Sequence, residues 1–265
     1  NAVRRMEKDR PITVYFRGGI YNINKTVSFD STDSGTADAP ITYAAYKNEK
    51  PEFVGGVYID GEKFTKAEES RFSNKNIYCL DLVKEGLEQY IGDIQPGGQG
   101  AAYNAPNMEL FIDDKAYEPA RWPNRDTDGF NTYCKIQNVI SVGDENENDS
   151  ELPSFTADDE VIEHIKTWSD ISDVICSGYL GLPYFDFDFK MTSINGNQIN
   201  LNKLCNGGIQ KNGVFYFYNI AEELDHDGEY FIDRENKKPY VYMETENFKD
   251  KKIFLTTFDA GSIYN

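Results

Sequence analysis

The run FDFDFKM, Phe185 to Met191, alternates an apolar residue with a charged one at every step. A period of two belongs to a β-strand, whose successive side chains point to opposite faces. With rings on one side and charges on the other, this run predicts a half-buried antiparallel strand. The same texture extends in both directions. NIYCLDL, MELFIDDKAY, CKIQNVISV, QINLN, VFYFYNI, GEYFID and PYVYMET are long strand-like runs separated by polar loops. One helix interrupts them. FTADDEVIEHIKTW offers Thr156 as N-cap with Asp159 three residues on, acidic residues in the first turn, and apolar Val161, Ile162, Ile165 and Trp168. The stretch before it, GDENENDSELPS, is a charged loop poor in apolar residues. Residues 66–250 thus read as a β-sandwich-like domain with one short helix.

The opening of the chain has a different rhythm. Between residues 10 and 61, short runs (Ile12 to Phe16, Ile20 to Ile23, Thr26 to Phe29, Ile41 to Ala45, Val57 to Ile59) alternate with Gly, Asp, Ser and Pro turns. Strands of four or five residues at such close intervals suit the coils of a solenoid better than a sandwich. The last run, KKIFLTTFDAGSIYN, returns to that style. The expected division is therefore coils at 1–65, an inserted β-sandwich-like domain at 66–250, and a truncated return to the coils at 251–265. No signal peptide is present, but the chain opens on NAVRRMEKDRP without an initiator Met and reads as a piece of a longer polypeptide, so missing targeting signals mean little.

Composition narrows the partners. The chain has 265 residues, 45 acidic and 27 basic, with a formal net charge of -18. That balance disfavours nucleic acid and anionic membranes, and no apolar run approaches the roughly 20 residues of a membrane span. A neutral polymer such as a glycan or polysaccharide fits better, although high negative charge also serves solubility alone. Cys79, Cys134, Cys176 and Cys205 have no CxxC spacing, and His164 and His226 are the only histidines, which argues against a zinc site. Each cysteine sits in an apolar or aromatic run and reads as a buried free thiol, with one or two disulfides left open.

Several of these stretches resemble a known family. ITVYFRGGIYNINKTVSFDSTDSGTADAPITYAAYKNEKPEFVGG is similar to the first rungs of right-handed parallel β-helix carbohydrate-active proteins. ARWPN at 120–124, NIAEELDHDGEYFIDRENKKPYVYM at 219–243 and DVICSGYLGLPYFDFDFKMTSINGNQINL resemble the β-sandwich that interrupts the helix in glycoside hydrolases of the family-141 type. The resemblance spans nearly the whole chain. It implies a mainly β fold, with the first coils of a right-handed parallel β-helix interrupted by a β-sandwich-like inserted domain. It further implies a secreted or cell-surface bacterial glycoside hydrolase acting on plant or host glycans. In that family the catalytic carboxylates sit on later rungs. They are expected downstream of this chain, with the remaining β-helix as its partner.

Five residues are candidates for carbohydrate binding: Arg121, Trp122, Asn124, Arg125 and Tyr184. Sugar C–H faces pack on an indole, while Arg and Asn hydrogen-bond to hydroxyls. The competing reading has Trp122 packed between helix and sandwich, Pro123 ending the strand and Arg121 paired with a carboxylate; this structural role is the one expected. NRDTDG, 124–129, begins like a calcium loop with Asn124, Asp126, Asp128 and Gly129, but its twelfth position is Lys135 where a carboxylate is needed. Calcium is the one cofactor it raises, and none is expected. In DHDGE, Asp225 and Glu229 can be imagined as acid and base, but Asp227-Gly228 reads as a tight turn between VFYFYNI and EYFID, with His226 exposed on it. Half the rings of VFYFYNI and YLGLPYFDFDF fill the core, and the other half are free to meet a glycan or a neighbouring domain. The Gly-rich stretch 92–106 reads as a loop over the solenoid, not a phosphate loop. Beside the hydrolase reading stand a lone carbohydrate-binding module and a structural or adhesive surface domain. A pectate-lyase-like enzyme is weaker, because elimination from uronates wants cations or calcium and this surface is acidic.

Overall fold

The computed structural model describes residues 2–23, 25–72, 76–92, 94, 108–147, 151–244 and 248–257. Four short strands open the chain: β1 (Ile12–Phe16), β2 (Gly19–Asn22), β3 (Ile41–Ala45) and β4 (Pro51–Val54). β1 pairs with β3 in parallel, Ile12 against Ile41 through Phe16 against Ala45, and β2 pairs with β4 in parallel. Phe16 lies edge-on to Phe53, and Tyr21 stacks on Phe53, so aromatic rings fill the corner between the two ladders.

These two ladders do not continue as a parallel β-helix. The expected strand Thr26 to Phe29 does not form, and Val27 and Phe29 are exposed. β5 (Gly56–Asp60) leaves the parallel arrangement and pairs antiparallel with β21 (Lys252–Thr256). Gly56 permits that approach: a Cβ there would stand 2.1 Å from the Leu255 carbonyl oxygen. β21 also pairs antiparallel with β8 (Leu110–Ile112), which pairs with β9 (Lys115–Ala116). One four-stranded sheet therefore joins the opening segment, the middle of the chain and its end. Residues 258–265, part of the expected return to the coils, lie outside the described residues.

A five-stranded sheet runs in the order β10 (Glu118–Pro119), β19 (Glu229–Asp233), β20 (Lys238–Tyr242), β7 (Ile77–Cys79), β6 (Thr65–Lys66). It shares a core with the four-stranded sheet, where Ile59, Leu110, Ile112, Ile253 and Leu255 meet Tyr230, Ile232 and Val241. The largest sheet runs β11 (Arg121–Trp122), β18 (Val214–Tyr218), β15 (Ile175–Tyr179), β16 (Phe187–Asn195), β17 (Gln198–Leu201), β14 (Ser154–Thr156), β13 (Asn138–Ser141). β12 (Cys134–Lys135) also pairs with β18. Apart from the two opening ladders and the two-residue pairing of β10 with β19, the named strand pairs are antiparallel. The chain is mainly β.

Two α-helices accompany the sheets. α1 (Leu82–Glu85) went unread in the sequence, although Asp81 accepts the Lys84 N–H at 3.2 Å and Gly86 closes it at φ +67°. α2 (Asp159–Ile165) starts later than expected. Thr156 is held in β14 between Asn138 and Gln198, so Asp158 takes the N-cap position instead. Val161, Ile162 and Ile165 then pack on Phe155, Phe189, Phe215 and Phe217 of the largest sheet. The expected hairpin across Asp227-Gly228 does not form, because β18 and β19 belong to different sheets. All four cysteines are buried free thiols.

Gly178 sits inside β15 at φ +139°, where a Cβ would stand 2.5 Å from the Val214 carbonyl oxygen. Gly178→Ala is expected to cost about 1–3 kcal/mol through backbone strain alone. Urea denaturation checks this; an unchanged midpoint would show that β15 and β18 separate freely at this point.

Candidate functional site

The registers of the largest sheet sort its side chains onto two faces. Trp122, Phe217, Cys176 and Phe189 form one row across β11, β18, β15 and β16, and Phe215 and Phe187 lie in the next row of the same kind. These face the core under α2. The alternate positions carry Arg121 opposite Tyr218, and Tyr216, Ser177 and Asp188 in one row. They form the floor of a cavity of about 400 Å³. Phe111, Tyr117, Pro119 and Tyr230, from or beside the two smaller sheets, line it as well. The cavity lies where the large sheet's polar face meets the smaller sheets.

Its walls combine hydroxyls, carboxylates and guanidinium groups. The Tyr218 hydroxyl donates to Asp188 Oδ2 at 3.3 Å, and burial, then Asp188, pushes the phenol well above its ordinary range. Burial also raises Tyr216, against an opposing pull from neighbouring Ser177, and lifts Tyr117 to about 12. All three remain neutral at physiological pH and keep donor and acceptor capacity. Asp186, just ahead of β16, and Asp188 within it both line the cavity. Arg125 donates to both oxygens of Glu118, at 2.8 and 2.9 Å.

The expected sugar-binding set is divided. Arg121 and Arg125 line the cavity. Trp122 is on the opposite face, its indole stacked 4.1 Å from the His164 ring and edge-on to Trp168, between helix and sheet. His164 and the Trp168 N–H both bond the buried Glu223 carboxylate, at 2.7 and 2.6 Å, which fixes the aromatic cluster. Asn124 donates to Asp225 Oδ1 at 3.0 Å and does not line the cavity. Tyr184 is 69% exposed beside Phe185, away from the cavity walls. Arg121 departs from its expected carboxylate pairing. Its guanidinium donates to Pro123 O, Asn131 Oδ1 and Thr132 O, all neutral acceptors offered by the loop that wraps around it.

The calcium-like loop holds itself together instead. Asp126 Oδ1 accepts the Asp128 and Phe130 N–H groups, while the Asn124 side chain faces Asp225. Among the described residues no three His, Cys, Asp or Glu side chains are grouped to hold a metal. Glu229 stands next to Asp225, whose backbone N–H it accepts. It is buried and accepts backbone N–H groups from Arg121 and His226 as well. The Gly-rich stretch falls almost wholly outside the described residues. Ser177, Asp186, Asp188, Tyr216 and Tyr218 were missed as a site. For Asp186, Asp188, Tyr216 and Tyr218 the signal was the polar half of two alternating strands, FDFDFKM and VFYFYNI; Ser177 lies in neither.

No protein-family model and no curated protein matches the chain. Among solved structures it superposes on a protein named "Glycoside hydrolase" with a TM-score of 0.57 and 16% identity, covering 93% of this chain and 39% of that one. That likeness gives a glycoside-hydrolase-like fold, and the chain spans less than half the length of its neighbour.

Proposed function

We propose that this chain is a carbohydrate-active domain of the kind found in glycoside hydrolases, and that it binds a glycan in the cavity over β15, β16 and β18. The observation carrying the proposal is the cavity floor. Tyr216, Tyr218, Ser177 and Asp188 set neutral hydroxyls beside a carboxylate on a rigid sheet, a pattern of donors and acceptors suited to sugar hydroxyls. The fold likeness to a glycoside hydrolase supports the same class of ligand. The family-141 resemblance, a place outside the cell and action on plant or host glycans belong to this proposal.

A glycan array followed by calorimetry tests it. Binding is expected, and Tyr218→Phe is expected to weaken it about fivefold, the equivalent of one hydrogen bond of ~1 kcal/mol. No glycan binding, or binding indifferent to Tyr218, would remove the cavity from consideration. A second reading places hydrolysis here as well, because two carboxylates, Asp186 and Asp188, line the cavity, and glycoside hydrolysis uses a carboxylate pair. Turnover abolished by Asp188→Asn would select it.

A further inference from the structure

We infer that the Arg121 end of the cavity recognises a negatively charged sugar, a uronic acid residue whose carboxylate is held by the Arg121 guanidinium. The inference rests on the glycan-binding reading above and adds the charge of the ligand. Arg121 is 1% exposed, and among the described residues no carboxylate oxygen lies within 4.0 Å of its side-chain nitrogens. A buried ion without a counter-ion costs several kcal/mol, so buried charges are normally paired. The three loop oxygens satisfy three of the five guanidinium N–H groups but none of the charge.

The surroundings sharpen the imbalance. Tyr216 covers one face of the guanidinium, 3.9 Å from ring centre to carbon, and supplies a quadrupole instead of a counter-ion. Arg125 shares the Asn131 Oδ1 acceptor with Arg121, which brings a second cation alongside. Glu118 is the nearby carboxylate, and both of its oxygens are taken by Arg125. Two cations thus share one anion at this end. Asp188, by contrast, lies on β16, three strands from Arg121 on β11, or about 14 Å at the usual spacing between strands. Arg121 and Arg125 thus stand at the β11 end and Asp188 at the β16 end, while Glu109 and Arg234 line the cavity from other elements.

A ligand that matches both ends carries a carboxylate on one side and hydroxyls on the other. The two remaining N–H groups of Arg121, one on each terminal nitrogen, suit a planar carboxylate. The sugar's hydroxyls then fall over Tyr216, Ser177 and Asp188. The net charge of -18 is an average that this end of the cavity does not share. The inference concerns binding and assigns no elimination chemistry.

Arg121 also holds its own loop, so its substitution would confound folding with binding. The decisive test keeps the chain unaltered and changes the ligand. Oligosaccharides of galacturonate, glucuronate and mannuronate are titrated by calorimetry as free acids and as methyl esters. At least one acid is expected to bind ten times or more tightly than its ester, with affinity falling as salt rises from 50 to 300 mM. An ester that binds as well as its acid overturns the inference. Binding of neutral glycans with none of the uronates overturns it too, and leaves the glycan-binding reading standing. Binding of no glycan at all removes both.

Discussion

Phe217→Ala is expected to lower the stability of the fold by about 3–5 kcal/mol, while Tyr216→Phe, one residue away on the same strand, changes it by no more than about 1 kcal/mol. The difference comes from the pleat. Phe217 is fully buried, stands edge-on to Trp168 and Phe215, and lies in register with Cys176 and Trp122. Truncating it removes a ring from the centre of the cluster beneath α2 and leaves a void that rigid strands on both sides cannot close. Tyr216 points the other way, into the cavity, and Tyr216→Phe removes only a hydroxyl. Urea denaturation of both variants distinguishes them, with a shifted midpoint and unchanged slope expected for Phe217→Ala. Equal costs would mean that the two faces of β18 have been assigned wrongly, and the cavity floor with them.

That contrast also marks what could be read in advance. Alternation in FDFDFKM and VFYFYNI assigns each residue to a face because a strand's period is fixed by backbone geometry and needs no partner. Which strands lie side by side is settled by contacts far apart in sequence. Nothing local says that Val214–Tyr218 sits between Ile175–Tyr179 and Arg121–Trp122, yet that order brings Arg121 and Asp188 to opposite ends of one cavity. The same gap explains the errors. Gly56–Asp60 has the length and composition of a solenoid strand, but a strand nearly two hundred residues later claims its edge in the antiparallel sense. Thr156 has the chemistry of an N-cap and lost that role to a ladder on both of its sides. Asp227-Gly228 has the chemistry of a hairpin, but the strands around it serve different sheets. Trp122 finds its partners, His164 and Trp168, more than forty residues further on, and nothing in ARWPN names them.

The fold is expected to lose stability as pH rises from about 4.5 to 8, by an amount on the order of a few kcal/mol, and Glu229 is the cause. The residue is 4% exposed and lies close to Asp225. Burial, with the Asp225 charge second, pushes its pKa up to about 8, against the opposing pull of three backbone N–H donors at 3.2–3.3 Å. Between the ordinary carboxylate value of 4.5 and about 8, the folded chain keeps a proton that the unfolded chain has released. Each step up in pH across that window therefore favours unfolding. Below the window both states are protonated and the penalty is absent; above it the folded state must carry a buried negative charge. His226, raised by its bond to Asp225, acts in the same direction from 6.5 upward, weakly because its ring is mostly exposed. Asp33, held down to about 2 by Arg4, titrates below the window and leaves it undisturbed. Denaturation between pH 4.5 and 8 should show the decline in the unaltered chain and a nearly flat profile in Glu229→Gln. The variant's stability would be lower overall, because an amide nitrogen then faces one of the backbone donors. A flat profile in the unaltered chain would mean that the three N–H donors prevail and Glu229 is already ionised. A slope that survives Glu229→Gln would assign the dependence to the acidic surface instead.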